Sequence, residues 1–300
     1  MTVEYDEFGL LQENADEAGL TWIGQPQVAR RSVELGDGRS ISAVVWGHEP
    51  ELVFLHGGAQ NAHTWDTVAL ALQRSLLAID MPGHGHSDWR SDSDYSIPGM
   101  AADVAAVTEA LAPKATTLIG MGLGSPVALL AADRLPQITR LVMIDSASGA
   151  RAAGPGERRE SAAGRNVQEF TGGQHEFAGF DDILERTMRY NPGRSEQSLR
   201  RGILHNAKQL DDGRWSWRWD PSNRENRDFA FDQLERALDR FDGPVLLIRG
   251  ARSDVVTDDT VAAFKERHAD TTLVTIDGAG HGVQGDKPVE LADILANWLQ

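Results

Sequence analysis

The sequence predicts an α/β protein with a mostly parallel central sheet flanked by helices. Short apolar runs rich in β-branched residues, typical of buried strands, recur along the 300 residues. Helical patterns separate several of these runs, and such alternation favours parallel strands covered by helices. A hydrophobic fraction of 41% with 25% charged residues fits a globular chain that can bury a sizeable core.

The predicted elements follow one another in chain order. Strands are predicted at residues 41–46, 52–55, 76–79, 116–119, 141–144, 245–248 and 273–276. Helices are predicted at residues 101–111, 126–134, 257–268 and 288–299. The last helix begins at Pro288, a residue that suits a first helical turn.

One long segment, residues 149–241, interrupts the alternation. It contains charged helical patterns, no strong strand run and, at 151–165, a Gly- and Arg-rich stretch that we expect to be solvated. Its neighbours on either side are predicted successive strands of one sheet. We therefore expect an inserted helical cap, or lid, over the carboxyl ends of the strands, with a core formed by residues 28–148 and 242–300.

Residues 1–27 form an acidic N-terminal extension in this interpretation. The first 24 residues hold six acidic side chains and no Lys or Arg, the opposite of a secretory or mitochondrial leader, so we predict a cytoplasmic protein. We expect a solvated tail that is free to contact a neighbouring copy in a homo-oligomer. The longest apolar stretch, residues 118–132, is too short and too interrupted to span a membrane, so no membrane association is expected.

Charge and composition exclude several classes of function. A net charge of −16 repels both nucleic acid and anionic lipid. The chain has no cysteine, which excludes disulfides, thiolate zinc sites and a cysteine nucleophile. The run His84-Gly85-His86-Ser87-Asp88 has the start of a two-metal motif, but Trp89 stands where a further His is needed. We expect no metal, no cofactor and no nucleic-acid partner.

A glycine turn at residues 120–124 joins a predicted strand to a predicted helix. It matches a nucleophile elbow, in which the central residue, here Gly122, points over the sheet. It also partly matches a dinucleotide fingerprint, with Asp145 about twenty residues on as the acid that binds ribose. The second interpretation needs a glycine-like residue at position 125, where Ser125 stands.

Other segments favour the elbow. His56-Gly57-Gly58 follows a strand and offers backbone N–H groups to a cavity, as an oxyanion hole requires, with His56 as a structural hydrogen bonder. Asp254 lies just beyond another strand, and His281 lies on a glycine loop beyond the next one. The order nucleophile, acid, base is the order expected on this type of sheet.

The combined motifs are specific, although each alone is weak. They are Leu-His-Gly-Gly at 55–58, Asp-Met-Pro-Gly-His-Gly-His-Ser at 80–87, Gly-x-Gly-x-Gly at 120–124, Ser-Asp at 253–254 and Gly-His at 280–281. Over residues 28–300 the chain resembles the α/β-hydrolase fold superfamily, in its capped, esterase- or lactonase-like branch.

The resemblance implies a role for each residue of the site. His281 would be the general base, Asp254 its orienting carboxylate, and the N–H groups of Gly58 and Leu123 the oxyanion hole. Asp145 is the alternative acid, because some relatives place the acid after that strand. The nucleophile would belong at position 122.

Gly122 departs from the family pattern, because glycine has no side chain and cannot form an acyl-enzyme. We expect a hydrolase of a carboxylic ester or lactone in which glycine replaces the nucleophilic serine, leaving an inactivated variant. The alternative is a natural member of the fold that binds a ligand without hydrolysing it. A C–C bond hydrolase, an epoxide hydrolase and an NAD-binding oxidoreductase are less favoured.

Three tryptophans mark the cap. Trp215, Trp217 and Trp219 alternate with polar residues, so on an extended segment their rings share one face. They either pack the cap onto the core or form an aromatic wall for a large hydrophobic substrate. The expected partner is a small-molecule hydrophobic ester or lactone.

Overall fold

A computed structural model describes residues 5–149, 169–223 and 228–300. These residues form a large sheet of eight strands and a small sheet of three, together with helices on both faces of the large sheet. The Gly- and Arg-rich stretch at 151–165, expected to be solvated, lies outside the described residues.

The eleven described strands form two sheets. They are β1 (Val28–Glu34), β2 (Ser40–Trp46), β3 (Leu52–Leu55), β4 (Leu76–Ile79), β5 (Thr117–Met121), β6 (Arg140–Ile144), β7 (Glu176–Phe177), β8 (Ala207–Gln209), β9 (Trp215–Trp217), β10 (Val245–Gly250) and β11 (Thr271–Ile276). The large sheet has the order β1-β2-β4-β3-β5-β6-β10-β11. Strand β2 is antiparallel to both neighbours and all other neighbours are parallel, which confirms the mostly parallel sheet expected from the sequence.

Helices cover both faces of the large sheet. The α-helices of the described residues are α1 (Leu11–Glu17), α2 (Asp66–Leu72), α3 (Ile97–Leu111), α4 (Gly124–Ala132), α5 (Phe180–Tyr190), α6 (Glu196–Asn206), α7 (Phe231–Arg240), α8 (Asp258–Arg267), α9 (Val283–Asp286) and α10 (Pro288–Trp298). One apolar core lies between the sheet and α3, α4, α7 and α8, and a second lies between the sheet and α1, α2 and α10.

Burial on both faces explains the sequence pattern of the strands. On β5, Leu118 belongs to the first core and Ile119 to the second, so consecutive residues must both be apolar. Strand β1 was not predicted because it lies at the edge of the sheet, is partly exposed and contains Arg30 and Arg31.

The segment between β6 and β10 contains helices, as expected, and also a short antiparallel sheet. Helices α5, α6 and α7 lie here, together with β7, β8 and β9 in the order β7-β9-β8. These strands have two or three residues each, too few to show an alternating pattern in the sequence. The described part of the segment expected to form a helical cap therefore contains both helices and strands.

The N-terminal segment packs against the protein, which corrects the expectation of a solvated tail. Leu11 is only 1% exposed and belongs to the second core. Arg201 on α6 forms ion pairs with Glu13 and Glu17. Glu13 and Glu17 thus face a cation of the folded protein, a pairing that the local sequence does not reveal. In the described part of the chain, no helix has both the length and the apolar character needed to cross a membrane.

Candidate active site

The glycine turn after β5 has the backbone of a nucleophile elbow. Gly122 lies between β5 and α4 with φ +51°, in the left-handed region. Its neighbours must be glycine for a different reason, close packing. A Cβ on Gly120 would lie 2.3 Å from the carbonyl oxygen of Gly124, and a Cβ on Gly124 would lie 2.3 Å from that of Leu55. Both distances are far inside van der Waals contact.

Gly122 itself has room for a side chain. A Cβ at this position would lie 3.4 Å from Nε2 of His281 and 3.9 Å from Cα of Gly57, both ordinary contacts. A side chain here would therefore project directly toward the imidazole. The turn has the spacing of a catalytic elbow, although it carries glycine at its centre.

His281 is oriented by a buried carboxylate. Its Nδ1 lies 2.7 Å from Oδ2 of Asp145, and the Asp145 side chain is fully buried. The same carboxylate accepts hydrogen bonds from the Ser253 hydroxyl and from the Gly250 amide. With Nδ1 held in this way, Nε2 is the ring nitrogen that faces position 122.

Asp145, the alternative acid, is therefore the residue that the fold brings to His281, and the preference for Asp254 is corrected. Asp145 follows β6 directly, with φ +47°, and the turn aims its carboxylate inward. Asp254 lies beyond β10 with an exposed side chain. Its neighbour Ser253 contributes instead, by donating to the Asp145 carboxylate.

The two expected oxyanion amides belong to the loop after β3 and to the start of α4. Leu123 is the N-cap residue of α4, so its N–H belongs to the positive end of that helix. Gly58 follows β3, where the side chain of Gln60 braces the loop by accepting from the Gly57 amide at 3.2 Å. Within the described residues, the hydrogen-bond network leaves the Gly58 and Leu123 amides unused. Both are available to a developing negative charge.

Two histidines near the turn support backbone geometry. Nδ1 of His56 lies 2.7 Å from the Gly57 carbonyl oxygen, and its Nε2 accepts from the Met81 amide at 3.0 Å. Burial lowers the pKa of His56, which keeps the ring neutral in this role. His84 accepts from the Ala59 amide at 3.2 Å and has its other nitrogen 3.1 Å from the Pro82 carbonyl oxygen.

Asp88, in the loop at 84–88, and Ser125, after the glycine turn, also have structural roles. Asp88 accepts from the Ser40 amide at 2.8 Å, which ties the His-Gly-His-Ser-Asp loop to β2. Ser125 is fully buried, and its hydroxyl donates to the Gly120 carbonyl oxygen at 2.8 Å. Its hydroxyl is thus engaged by the backbone of the glycine turn, in the first turn of α4.

The three tryptophans are buried within the segment between β6 and β10. Trp215, Trp217 and Trp219 are at most 6% exposed and belong to one apolar cluster. Their rings contact Phe180, Phe170 and His175 respectively. These ring contacts are made within the inserted segment itself, whereas the packing suggested by the sequence was of the cap onto the core. Of the three, Trp217 also lines a large cleft.

A cleft of about 1030 Å³ opens between the core, the cap and the N-terminal segment. Gly58 and Gln60 form its wall at the oxyanion side, and Phe170, Leu199 and Trp217 provide apolar surface on the cap side. The cleft thus reaches the oxyanion loop.

Comparison with known proteins agrees with this geometry. The sequence matches the profile of the alpha/beta hydrolase fold over residues 50–288. The chain belongs to the α/β-hydrolase family. Esterase-type hydrolysis is the activity that its relatives support.

Esterase Rv0045c of Mycobacterium tuberculosis is 40% identical over 297 residues, which cover 98% of this chain and 96% of the relative. A solved structure of that esterase, described with its inhibition by transition metals, matches this α/β-hydrolase with a TM-score of 0.84 and 36% identity, covering 99% of each chain. The sn-1-specific diacylglycerol lipase ABHD11 of Xenopus laevis is 27% identical over 264 residues, covering 84% of this chain and 80% of the relative.

Proposed function

We propose that this α/β-hydrolase presents a site for a carboxylic ester or lactone and that Gly122 removes the covalent nucleophile from it. The observation that carries the proposal is the 3.4 Å separation between a Cβ at position 122 and Nε2 of His281. A seryl Oγ placed there is one bond further along, within hydrogen-bonding reach of the base.

The reaction follows from the same geometry once a hydroxyl is present. Nε2 of His281 accepts the proton of the serine hydroxyl. Asp145, which contacts Nδ1, stabilises the imidazolium that forms. The serine oxygen attacks the ester carbonyl, and the Gly58 and Leu123 amides stabilise the oxyanion. His281 then protonates the leaving alcohol, and in the second half of the cycle it activates water to release the acid.

In the chain as it stands, ester binding and oxyanion stabilisation remain but no acyl-enzyme forms. Enzymes that lose a triad member typically retain about 10³- to 10⁴-fold acceleration from binding and the oxyanion hole. The cleft meets the proposed site at Gly58, and its apolar wall of Phe170, Leu199 and Trp217 favours an ester whose hydrophobic part extends away from the oxyanion loop.

A second candidate is a ligand-binding protein that never hydrolyses its ligand. The observation that favours it is Gly122 itself, because glycine adopts φ +51° without strain whereas other residues are disfavoured there. In that case the partly exposed His281, held by the buried Asp145, serves to bind a polar group of the ligand.

The substitution Gly122→Ser separates the two. We expect it to raise kcat/KM for p-nitrophenyl esters or lactones by roughly 10³- to 10⁶-fold over the unchanged chain. The matched controls are Gly122→Ala, which adds the Cβ without the hydroxyl, and Gly122→Ser combined with His281→Ala. Both should remain at the level of the unchanged chain. A folded Gly122→Ser protein that turns over no ester or lactone would favour the ligand-binding role.

Transition-metal inhibition is described for the M. tuberculosis esterase, and we extend this sensitivity to the Gly122→Ser enzyme. Its hydrolysis rate with and without Zn²⁺ tests the extension. An unchanged rate at saturating Zn²⁺ would contradict it.

A further inference from the structure

Three buried side chains away from the elbow form a compact cluster. His63, Asp66 and His205 place one potential ligand atom each within 4.8 Å of one another. Nδ1 of His63 lies 2.9 Å from Oδ2 of Asp66, and Nε2 of His205 lies 3.9 Å from the same oxygen. Two imidazoles and a carboxylate are ligands that zinc and neighbouring transition metals prefer.

The outer nitrogens of both histidines are held by second partners. Nε2 of His63 lies 3.0 Å from Oε1 of Glu7, and Nδ1 of His205 lies 2.7 Å from the hydroxyl oxygen of Tyr5. Metal-ligating histidines usually have such a partner on the nitrogen that does not bind the metal, because it fixes the tautomer and the ring orientation. The N-terminal segment therefore supplies the outer contacts of the cluster.

Two atoms of the cluster are buried and lack a hydrogen bond within the described part of the chain. Among those residues, Oδ1 of Asp66 and Nε2 of His205 have no hydrogen-bond partner, and their residues are 2% and 3% exposed. A buried polar atom without a partner costs free energy. Both atoms belong to the ligand set, so a bound cation could satisfy the groups that the protein itself leaves unsatisfied.

The surrounding charges permit a divalent cation. Arg30 lies close, with an Nη atom 3.2 Å from Nε2 of His63. Its charge is offset by ion pairs with Glu7 at 2.5 Å and with Asp80 at 2.7 Å. The Asp66 carboxylate then faces the two imidazoles. A cation that replaces the proton shared by His63 and Asp66 has that carboxylate as its counter-charge.

We propose that His63, Asp66 and His205 form a binding site for one divalent transition-metal ion of the zinc type. His63 would bind through Nδ1, His205 through Nε2 and Asp66 through a carboxylate oxygen. His63, Arg201 and His205 line the large cleft, which provides a route from solvent. The site is separate from the elbow, and metal binding to the unchanged chain does not depend on the proposed ester hydrolysis.

Binding requires one local rearrangement. The two imidazoles are stacked, with centroids 3.9 Å apart and planes inclined by 14°. The lone pair of a ring nitrogen lies in the plane of its ring, so two nearly parallel rings cannot both point at one ion. At least one ring must tilt on binding, and the metal-bound form should differ from the free form in this stacking.

The location of the ion would connect it to the active site. His205 lies in the last turn of α6, whereas His63 and Asp66 belong to the turn and helix that follow the oxyanion loop. The neighbouring Asn206 side chain donates to the Ala59 carbonyl oxygen at 2.7 Å, one residue after Gly58. An ion that joins His205 to His63 therefore ties the cap to the core beside an oxyanion amide.

Isothermal titration of the unchanged, metal-free chain with Zn²⁺ tests the proposal. We expect one ion per chain, and Co²⁺ in its place should give the visible absorption of a site with nitrogen ligands. His205→Gln and Asp66→Asn each remove a ligand and should weaken binding by at least tenfold. Tyr5→Phe removes only the outer contact of His205, and losses of about 10- to 100-fold are typical of such changes.

The controls separate this site from other histidines. His48→Gln changes an exposed histidine and should leave the affinity for Zn²⁺ unchanged. Circular dichroism of each variant shows whether it is folded. If a ligand variant does not fold, Tyr5→Phe still tests the site. The proposal is overturned if the unchanged chain binds no Zn²⁺, if the folded ligand variants and Tyr5→Phe bind as tightly as the unchanged chain, or if His281→Gln abolishes binding.

Discussion

The imidazole of His281 and the carboxylate of Asp145 are 136 positions apart in the sequence and 2.7 Å apart in the fold. Asp145 follows β6, which neighbours the elbow strand β5, and His281 lies on the loop after β11 at the same end of the sheet. The acid of the site therefore follows the strand next to the elbow strand. Ser253, from the loop after β10, donates a further hydrogen bond to the Asp145 carboxylate.

The first prediction concerns the identity of the acid. In the Gly122→Ser background, Asp145→Asn should reduce kcat by about 10⁴-fold, because an amide cannot stabilise the imidazolium of His281 or hold its reactive tautomer. The measurement is steady-state hydrolysis of a p-nitrophenyl ester. Asp254→Asn in the same background is the control and should stay close to the parent rate. The reverse ranking would restore Asp254 as the acid.

The second prediction concerns the glycines of the elbow. Gly124→Ala places a Cβ 2.3 Å from the Leu55 carbonyl oxygen, so the backbone must shift. We expect a loss of about 3 kcal/mol or more in the free energy of unfolding, measured with urea. Gly122→Ala meets only ordinary contacts, and its left-handed backbone should cost about 1–2 kcal/mol. Equal losses would contradict the distinction between packing and conformation.

A third prediction tests the packed N-terminal segment. Leu11→Ala removes a side chain that is 1% exposed and should lower the free energy of unfolding by about 2–5 kcal/mol. Ile23→Ala, in the same segment, changes a residue that is 80% exposed and should alter stability by less than about 0.5 kcal/mol. Thermal or urea unfolding distinguishes the two. A neutral Leu11→Ala would support the solvated tail that the acidic sequence suggested.

A fourth prediction concerns acid stability. Burial, together with the charges of Arg30 and Arg218, lowers the pKa of His86 to about 4 against the opposing charges of Asp80 and Glu7. The unfolded chain takes up a proton at this residue near its ordinary pKa of about 6.5. Between these values the unfolded state binds more protons, so His86 makes the fold less stable as the pH falls from about 6.5 to 4.

The variant His86→Gln should therefore lose part of this acid sensitivity. Urea unfolding at a series of pH values should show that the free energy of unfolding declines less steeply with falling pH than in the unchanged chain. The difference in slope should correspond to at most about one bound proton in this window. His48→Gln, at an exposed site, should follow the unchanged curve. A His86→Gln curve parallel to the parent curve would show that His86 is not the group responsible.

Local patterns were enough for most of the fold. Buried parallel strands such as β3 and β4 are apolar on both faces, so their bounds can be seen in the sequence without any knowledge of their neighbours. The elements that were missed depend on their partners. Strand β1 is an exposed edge, β7 to β9 are too short to show periodicity, and α1 is stabilised by contacts with the core and with Arg201.

Sequence order and glycine spacing indicated the elbow, because it depends on a backbone turn that glycine makes possible. The roles of the oxyanion amides and of the histidine came from the resemblance to the α/β-hydrolase fold. The choice between Asp145 and Asp254 could not be made this way. Both residues follow strands, and only the direction in which the chain leaves each strand aims one carboxylate at His281. The cluster of His63, Asp66 and His205 likewise exists only because folding brings a cap helix against the core, whereas the absence of a side chain at Gly122 needs no structure to be seen.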